Sequence, residues 1–406
     1  MTFSAETTPL RQTTTPSLPP GARIAFVLPA LKMGGAEQVV RLLARSMLAR
    51  HSVLVISLFA GGALAAQFEA DGIPLLVLEG QRTWRRPWQW LWSFGRSCRQ
   101  LRRALQAFQP DIVNAHSLGH TAEVWLATRG LANTSVILTL HNTYPFFAAT
   151  GWRATWRRRG LSWLFGRFDG VIAISEEVRA WVVQHHLLPS EAVTVVTNGI
   201  DTRPPILTET RAQLRARHSY PQPAIIFIQV ASLLPKKAHA DLLEAIAQMP
   251  AAWREQALFL LVGDGPERPR LVAQVSRLGL DACVQFLGLR HDVPELLALS
   301  DVMVVASRHE GLSLALMEGM LAGLPVVSTR VSGSTLLVRE GENGFLVPPG
   351  DPAALSRQLV WCLAHPEALP KLGAAAHATI NNYFSAERMA DDTEAVFAQV
   401  HLSRSA

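Results

Sequence analysis

The chain has 406 residues, 49% of them apolar, and a formal net charge of +6. That length passes the roughly 250 to 300 residues at which one core stops growing, so two domains are expected, and the apolar share excludes a wholly disordered chain. Cys98, Cys283 and Cys362 lie far apart, which excludes a disulfide framework and a cysteine metal cluster and fits a reducing cytosol.

Residues 1–21, rich in Thr and Pro, lack the apolar run of a secretory signal and are expected to form a disordered tail. No segment reaches the roughly 18 to 20 apolar residues that span a bilayer, so a cytoplasmic location is expected. Residues 1–205 carry 21 Lys plus Arg against 12 Asp plus Glu, and the remainder 17 against 20, so the halves stand at +9 and −3. A basic half suits nucleic acid, an anionic membrane or an acidic substrate, and charge alone does not choose among them.

From Arg23 the pattern is apolar run, turn, helical period: RIAFVLPAL, GGAEQVVRLLARSMLAR, SVLVISLF, then DIVNAHS and SVILTLHN. The rhythm restarts at AIIFIQVASLL and continues through ALFLLVGDG, ACVQFLGL, SDVMVVAS and LPVVST. Strands alternating with helices predict an α/β chain with two doubly wound parallel sheets. Asn198, Gly199, Pro204 and Pro205 mark a join, so domains are predicted at 22–205 and 206–382. Residues 383–406 read as a terminal helix expected to pack back on the first domain.

Within RHEGLSLALMEGMLAGLPVVS, Glu310 and Glu318 stand in an apolar segment that leaves little room for a wet helix face. One glutamate could merely open an amphipathic helix. Two buried carboxylates need partners, which suggests a polar ligand arriving from outside. Glu310 follows a predicted strand, Gly311 allows close backbone approach, and the N–H groups near Leu312, Ser313 and Leu314 would suit a phosphate. Two further turns along, Glu318 could reach the far end of an extended ligand.

These residues resemble the retaining glycosyltransferases of the GT-B fold, in particular family 4, over nearly the whole chain from Arg23. The most specific element is EGLSLALME, similar to the family's E-x7-E motif, followed by AGLPVV and GENGFLVPPGD. MGGAE, TLHNT, IAISEEV, TNGID, LLPKKAH and VGDGPE match in order. The resemblance implies two Rossmann-like domains facing an interdomain cleft. It implies that Glu310 touches the donor's sugar hydroxyls, that Glu318 binds the ribose hydroxyls, and that Lys237 binds the diphosphate. His141 would face the anomeric centre and position hydroxyls. Gly34 and Gly35, between strand and helix, let backbone amides approach phosphate or acceptor, and Gly263 lies in VGDGPE. G-x-G-x-x-G is absent there, which weakens a dinucleotide-dependent dehydrogenase reading.

His116 and His120 have weaker claims as cleft lining. Ser175 and Asp201 read equally well as turn and cap residues. Ser232 stands where the family commonly has an arginine, and Lys236, Arg308, Arg290 or the helix N-terminus are the candidate replacements for that charge. This departure keeps open a catalytically silent binding protein of the same fold.

No D-x-D follows a strand, so no metal and no cofactor is expected beyond the nucleotide-sugar donor, a UDP- or GDP-sugar. Lys237 and the amides at 311–314 would stabilise the leaving diphosphate. Two acid-free stretches, 82–103 and 152–168, hold Trp84, Trp88, Trp90, Trp92, Trp152, Trp156 and Trp163 among arginines. They suit an anionic membrane surface better than nucleic acid, for which no module is present. The alternative is a surface helix with its tryptophans turned inward. The resulting expectation is a peripheral enzyme of the cytoplasmic membrane's inner face, acting on a lipid-linked acceptor in cell-envelope or exopolysaccharide assembly. A soluble or glycan acceptor is the second reading.

Overall fold

A computed structural model describes residues 16–31, 34–59, 61–62, 64–78, 87–143, 151–203, 207–220 and 224–405. Trp84, Arg85 and Arg86 of the first tryptophan-rich stretch, and Met33 of MGGAE, lie outside the described residues. The chain forms two compact units, residues 1–196 with 389–406, and residues 197–388.

The first unit holds β1 (Arg23–Leu28), β2 (Ser52–Ser57), β3 (Leu75–Val77), β4 (Ile112–His116), β5 (Ser135–Leu140), β6 (Gly170–Ala173) and β7 (Val193–Val195). Their order is β3-β2-β1-β4-β5-β6-β7, and every pairing is parallel. The second unit holds β8 (Ile225–Val230), β9 (Ala257–Val262), β10 (Val284–Gly288), β11 (Val302–Val305), β12 (Val326–Thr329) and β13 (Gly344–Val347). Their order is β10-β9-β8-β11-β12-β13, again all parallel. Each unit is Rossmann-like, with helices between successive strands.

The central strands are continuous apolar runs because helices cover both faces: β9, ALFLLV, is buried at all six positions, and so is β5. In each sheet the strand order reverses at one place, between β1 and β4 and between β8 and β11. Connections leave such a point in opposite directions, so a crevice opens at the carboxyl ends of those strands, where open α/β sheets take their ligands.

Two boundaries differ from those read in the sequence. The join falls at 196/197 rather than 205/206, because Ile200 exchanges backbone hydrogen bonds with Phe384 and Ala386 at 2.9 and 2.8 Å and so belongs to the second unit. The disordered tail does not run to residue 21: Leu18 is buried, and the Gly21 N–H bonds the Arg50 carbonyl at 2.9 Å. The final helix, Ala386–Ser405, returns to the first unit from Met389 onward. There Phe397 packs on Phe26, with ring centroids 6.4 Å apart, Arg50 pairs with Asp391 at 2.8 Å, and Arg404 pairs with Asp169 at 2.6 Å.

Candidate functional site

In the second unit the chain leaves β8 through Ser232, turns at Pro235–Lys237 in a single 3-10 turn, and enters the helix His239–Ala247. The hinge is Ala238, at φ 51° and ψ 38°, a left-handed conformation unusual for a residue with a Cβ. It aims Lys237 across the switch point at the loop that follows β11. Lys237 Nζ donates to Glu310 Oε1 at 2.5 Å and also to Oε2, with both side chains about 85% shielded from solvent. Two residues 73 positions apart, each assigned by resemblance to the donor, thus meet as one ion pair.

Small polar groups hold the loop that carries Glu310. Ser307 Oγ donates to Glu310 Oε2 at 2.8 Å, and Thr329 Oγ1, at the end of β12, donates to the Ser307 carbonyl at 2.5 Å. Ser332 Oγ and the Gly333 N–H both donate to the Glu310 carbonyl, at 2.9 and 3.3 Å. A Cβ at Gly333 would collide with the Gly311 carbonyl, so only glycine lets these backbones approach. Ser307, Thr329, Ser332 and Gly333 were not singled out in the sequence. The signal for the last three is a strand ending in S-T followed, after Arg330 and Val331, by S-G-S at a helix start.

Ser313 caps the helix Leu314–Leu321, its Oγ accepting the Leu316 N–H at 3.4 Å. With the Leu316 N–H taken by the cap, the first-turn N–H groups of Leu314 and Ala315 have no partner within the helix, and Leu314 lies inside the expected window of 312–314. Gly311 is exposed and Leu312 is buried against the core. Glu318 is exposed on this helix, not buried as the apolar segment suggested, although neighbouring protein still pushes its carboxyl up, to about 7. Water contact tempers the size of that rise but not its direction.

The candidate replacements for a charge at Ser232 sort themselves by pairing. Arg308 forks onto Asp241 at 2.9 and 2.8 Å, and Arg290 is held by Asp292 at 2.7 Å, so both guanidiniums already have carboxylates. Lys236 and Ser232 are exposed. Gly263 follows β9 at φ 133°, where a Cβ would collide with the Ala231 carbonyl, so it lets the β9 loop lie on the segment carrying Ser232. His218, Asp292 and Glu295 come close enough to bind a cation, but Arg290 and Arg217 already engage the two carboxylates.

In the first unit Gly34 is the N-cap of the helix Gly35–Met47, directly after β1, and Glu37 lies against that N-terminus. Across the switch point, His116 ends β4 and His141 follows β5. His116 Nδ1 and His141 Nε2 are 2.8 Å apart. Burial drives the His116 imidazole well below its usual value, with His141 and His120 adding to it, and burial takes His141 down to about 4. His120 Nε2 bonds the Val27 carbonyl at 3.2 Å. Ser117, next to His116, sits at φ 80° and ψ 154°, a region nearly confined to glycine that costs about 1 to 3 kcal/mol. Such strain is usually held at functional sites. Ser175 serves as a helix cap, accepting the Val178 N–H at 3.3 Å, and Asp201 forks with Arg203 at 3.0 and 2.9 Å.

The histidines set an acid limit. His239, buried beside Lys237 with neither ring nitrogen partnered, is lowered to about 4, first by burial and then by that lysine. For His116, His141 and His239 the folded value lies below the unfolded one near 6.5, so the unfolded chain takes up protons first. Their stability contribution is complete above pH 6.5 and is lost as pH falls toward 4. A displacement from 6.5 to about 4 corresponds to roughly 3 kcal/mol per group. Urea unfolding at pH 7.0 and 4.5 should show a large loss at the lower pH, diminished in His239→Phe. Equal stability at the two values would contradict it.

Elsewhere in the first unit, the helix Trp152–Phe165 buries Ala154, Leu164 and Phe165 and leaves Trp152, Trp156 and Trp163 exposed at 69%, 66% and 51%. At about 100° per residue the three tryptophans fall within roughly 40° of one another. They face outward, and the inward-packed alternative does not hold for them. Trp92 is exposed as well, at 62%. An open cavity of about 440 Å³ beside this helix is lined by Arg158, Arg159, Trp163, His185 and His186, with Thr155 and Ser162.

Comparison with known proteins gives a consistent result. Residues 33–203 match the family model described as Glycosyltransferase Family 4, and residues 223–365 the model described as Glycosyl transferases group 1. The chain is 30% identical over 217 residues to the N-acetyl-alpha-D-glucosaminyl L-malate synthase of Bacillus anthracis, covering 53% of this chain and 56% of that one. It is 33% identical over 177 residues to the lipopolysaccharide core biosynthesis glycosyltransferase LpsE of Rhizobium meliloti, covering 44% and 51%. The chain thus spans about half the length of these two relatives. Among solved structures it is similar to Alr3699/HepE of Anabaena in complex with UDP, at TM-score 0.78 and 25% identity, covering 91% of this chain and 98% of that one. HepE has also been solved with UDP and glucose.

Proposed function

The chain belongs to the group 1, family 4 glycosyltransferases, and from that membership we propose that it moves a sugar from a nucleoside-diphosphate sugar to an acceptor hydroxyl with retention at the anomeric carbon. The observation that carries this reading is the Lys237–Glu310 pair at the β8/β11 switch point, beside the open amides of Leu314 and Ala315. A diphosphate entering there meets a cation and a helix N-terminus, which stabilise the charge that develops as the sugar departs. Lys237 exchanges its carboxylate partner for phosphate oxygens, and Glu310 becomes available to sugar hydroxyls. Glu318 receives the ribose diol, and His141 positions hydroxyls at the reacting carbon. The complexes of HepE with UDP favour a UDP-sugar.

The acceptor is lipid-linked, and the enzyme works at an anionic membrane surface in cell-envelope or exopolysaccharide assembly. The outward stripe of Trp152, Trp156 and Trp163, next to an arginine-lined cavity, supports this, as does the relative named for lipopolysaccharide core biosynthesis. No helix among the described residues is long and apolar enough to cross a membrane.

Incubation with UDP-, GDP- and ADP-sugars tests the reaction: slow hydrolysis of one donor class is expected, and none with any donor would leave a silent binder. Anionic liposomes should cosediment the protein in a salt-sensitive way. Replacing Trp152 and Trp156 by alanine should release most of it while leaving donor hydrolysis intact. If the parent stays in the supernatant even at low salt, the membrane reading falls.

A further inference from the structure

We infer that His116 is a positioning residue that fixes the tautomer of His141, so that His141 presents an Nδ1–H donor and no base to the substrate. The reading rests on the proposed glycosyl transfer only for the identity of the substrate. The hydrogen-bond argument stands without it.

Both rings are neutral at pH 7, since burial disfavours their charged forms. Two neutral imidazoles 2.8 Å apart share one hydrogen between His116 Nδ1 and His141 Nε2, which leaves two arrangements. If His141 Nε2 carried the hydrogen, His116 would have to carry its own on Nε2. That atom is buried and has no partner, so an N–H would be stranded there. If His116 Nδ1 donates instead, its Nε2 is a bare nitrogen. Orphaned buried donors are the rarer defect in folded proteins, so the second arrangement is favoured. His141 Nε2 then accepts, and its hydrogen resides on Nδ1, the nitrogen not engaged with His116.

The support beneath the pair is rigid. Asn114, two residues before His116 on β4, donates to Thr139 Oγ1 at 2.9 Å and to the Ile137 carbonyl at 3.2 Å, tying β4 to β5 below the two rings. The Ser117 N–H bonds the Thr139 carbonyl at 3.0 Å, closing the strand end behind His116. His141 keeps only 7% exposure, so its ring has one edge to offer. An N–H donor suits an oxygen that gains negative charge during transfer, or a sugar hydroxyl accepting through its lone pair. It cannot remove the proton of the acceptor hydroxyl, and that proton must leave on another group, such as the departing phosphate.

Nitrogen-15 spectra of histidine-labelled protein, with His141 assigned by its loss in His141→Ala, read the tautomer directly. The expected result is hydrogen on His141 Nδ1 and a bare, hydrogen-bonded Nε2; hydrogen on His141 Nε2 overturns the inference whether or not any sugar is transferred. His116→Phe keeps an aromatic ring of similar size and removes the hydrogen bond. It should lower kcat about 10-fold with little change in donor KM, and should cost nothing further in a His141→Ala background. A loss from His116→Phe of the same size in both backgrounds would mean that His116 only supports the fold.

Discussion

Alanine at Lys237 is expected to weaken UDP binding about 10-fold to 100-fold, while alanine at the adjacent Lys236 changes it little. A charge-assisted hydrogen bond is worth roughly 1.5 to 3 kcal/mol, and each 1.4 kcal/mol is tenfold. Lys237 is folded inward onto Glu310, whereas Lys236 is exposed and contributes its carbonyl, which accepts the Arg308 N–H at 2.9 Å. Removing Lys237 also leaves the Glu310 carboxylate without its cation, so the variant should melt lower than the parent. The double variant Lys237→Met with Glu310→Gln should recover part of that loss without recovering affinity. Because Ser232 is exposed, Ser232→Arg has room and should hold affinity or improve it. Calorimetric titration with UDP and GDP decides the matter, and parental affinity in Lys237→Ala would mean that the donor site lies elsewhere.

Glutamine at Glu310 should reduce the transfer rate about 100-fold or more, the usual scale for removing one preorganised electrostatic contact. The substitution preserves size, and Ser332 and Gly333 hold the main chain at this residue rather than its carboxylate. The loop therefore stays in place, and UDP affinity should change only a few-fold. His141→Ala should match it in rate loss with the fold retained. Initial rates of donor turnover in both variants are the measurement, and full activity in folded His141→Ala would remove that residue from the reaction.

Strands built from long apolar runs were legible in the sequence because burial on both faces leaves few polar positions to blur them: RIAFVL, SVILTL, ALFLLV and VMVV are all found as read. The edge strand Leu75–Val77 and the strand Val193–Val195 at the opposite edge were not. Three residues give no period to recognise. Among the candidate site residues, Glu310 and Lys237 were singled out through motif position, but their contact was not, since nothing local links residues 73 apart. The same holds for His116 and His141, brought together by the register that sets His116 beside Thr139. Ser307, Thr329, Ser332 and Gly333 were hidden for another reason. Small polar residues after a strand look like any turn until the carbonyl they hold is known.

The first unit is assembled from two separate stretches, residues 1–196 and 389–406, while the second is continuous. During synthesis, therefore, a ribosome that has emitted residue 388 has released everything the second unit needs, but not the helix that covers Phe26 and pairs with Arg50 and Asp169. Although most of the first unit is translated first, it cannot close until residues 389–406 have followed the whole of the second unit out of the exit tunnel.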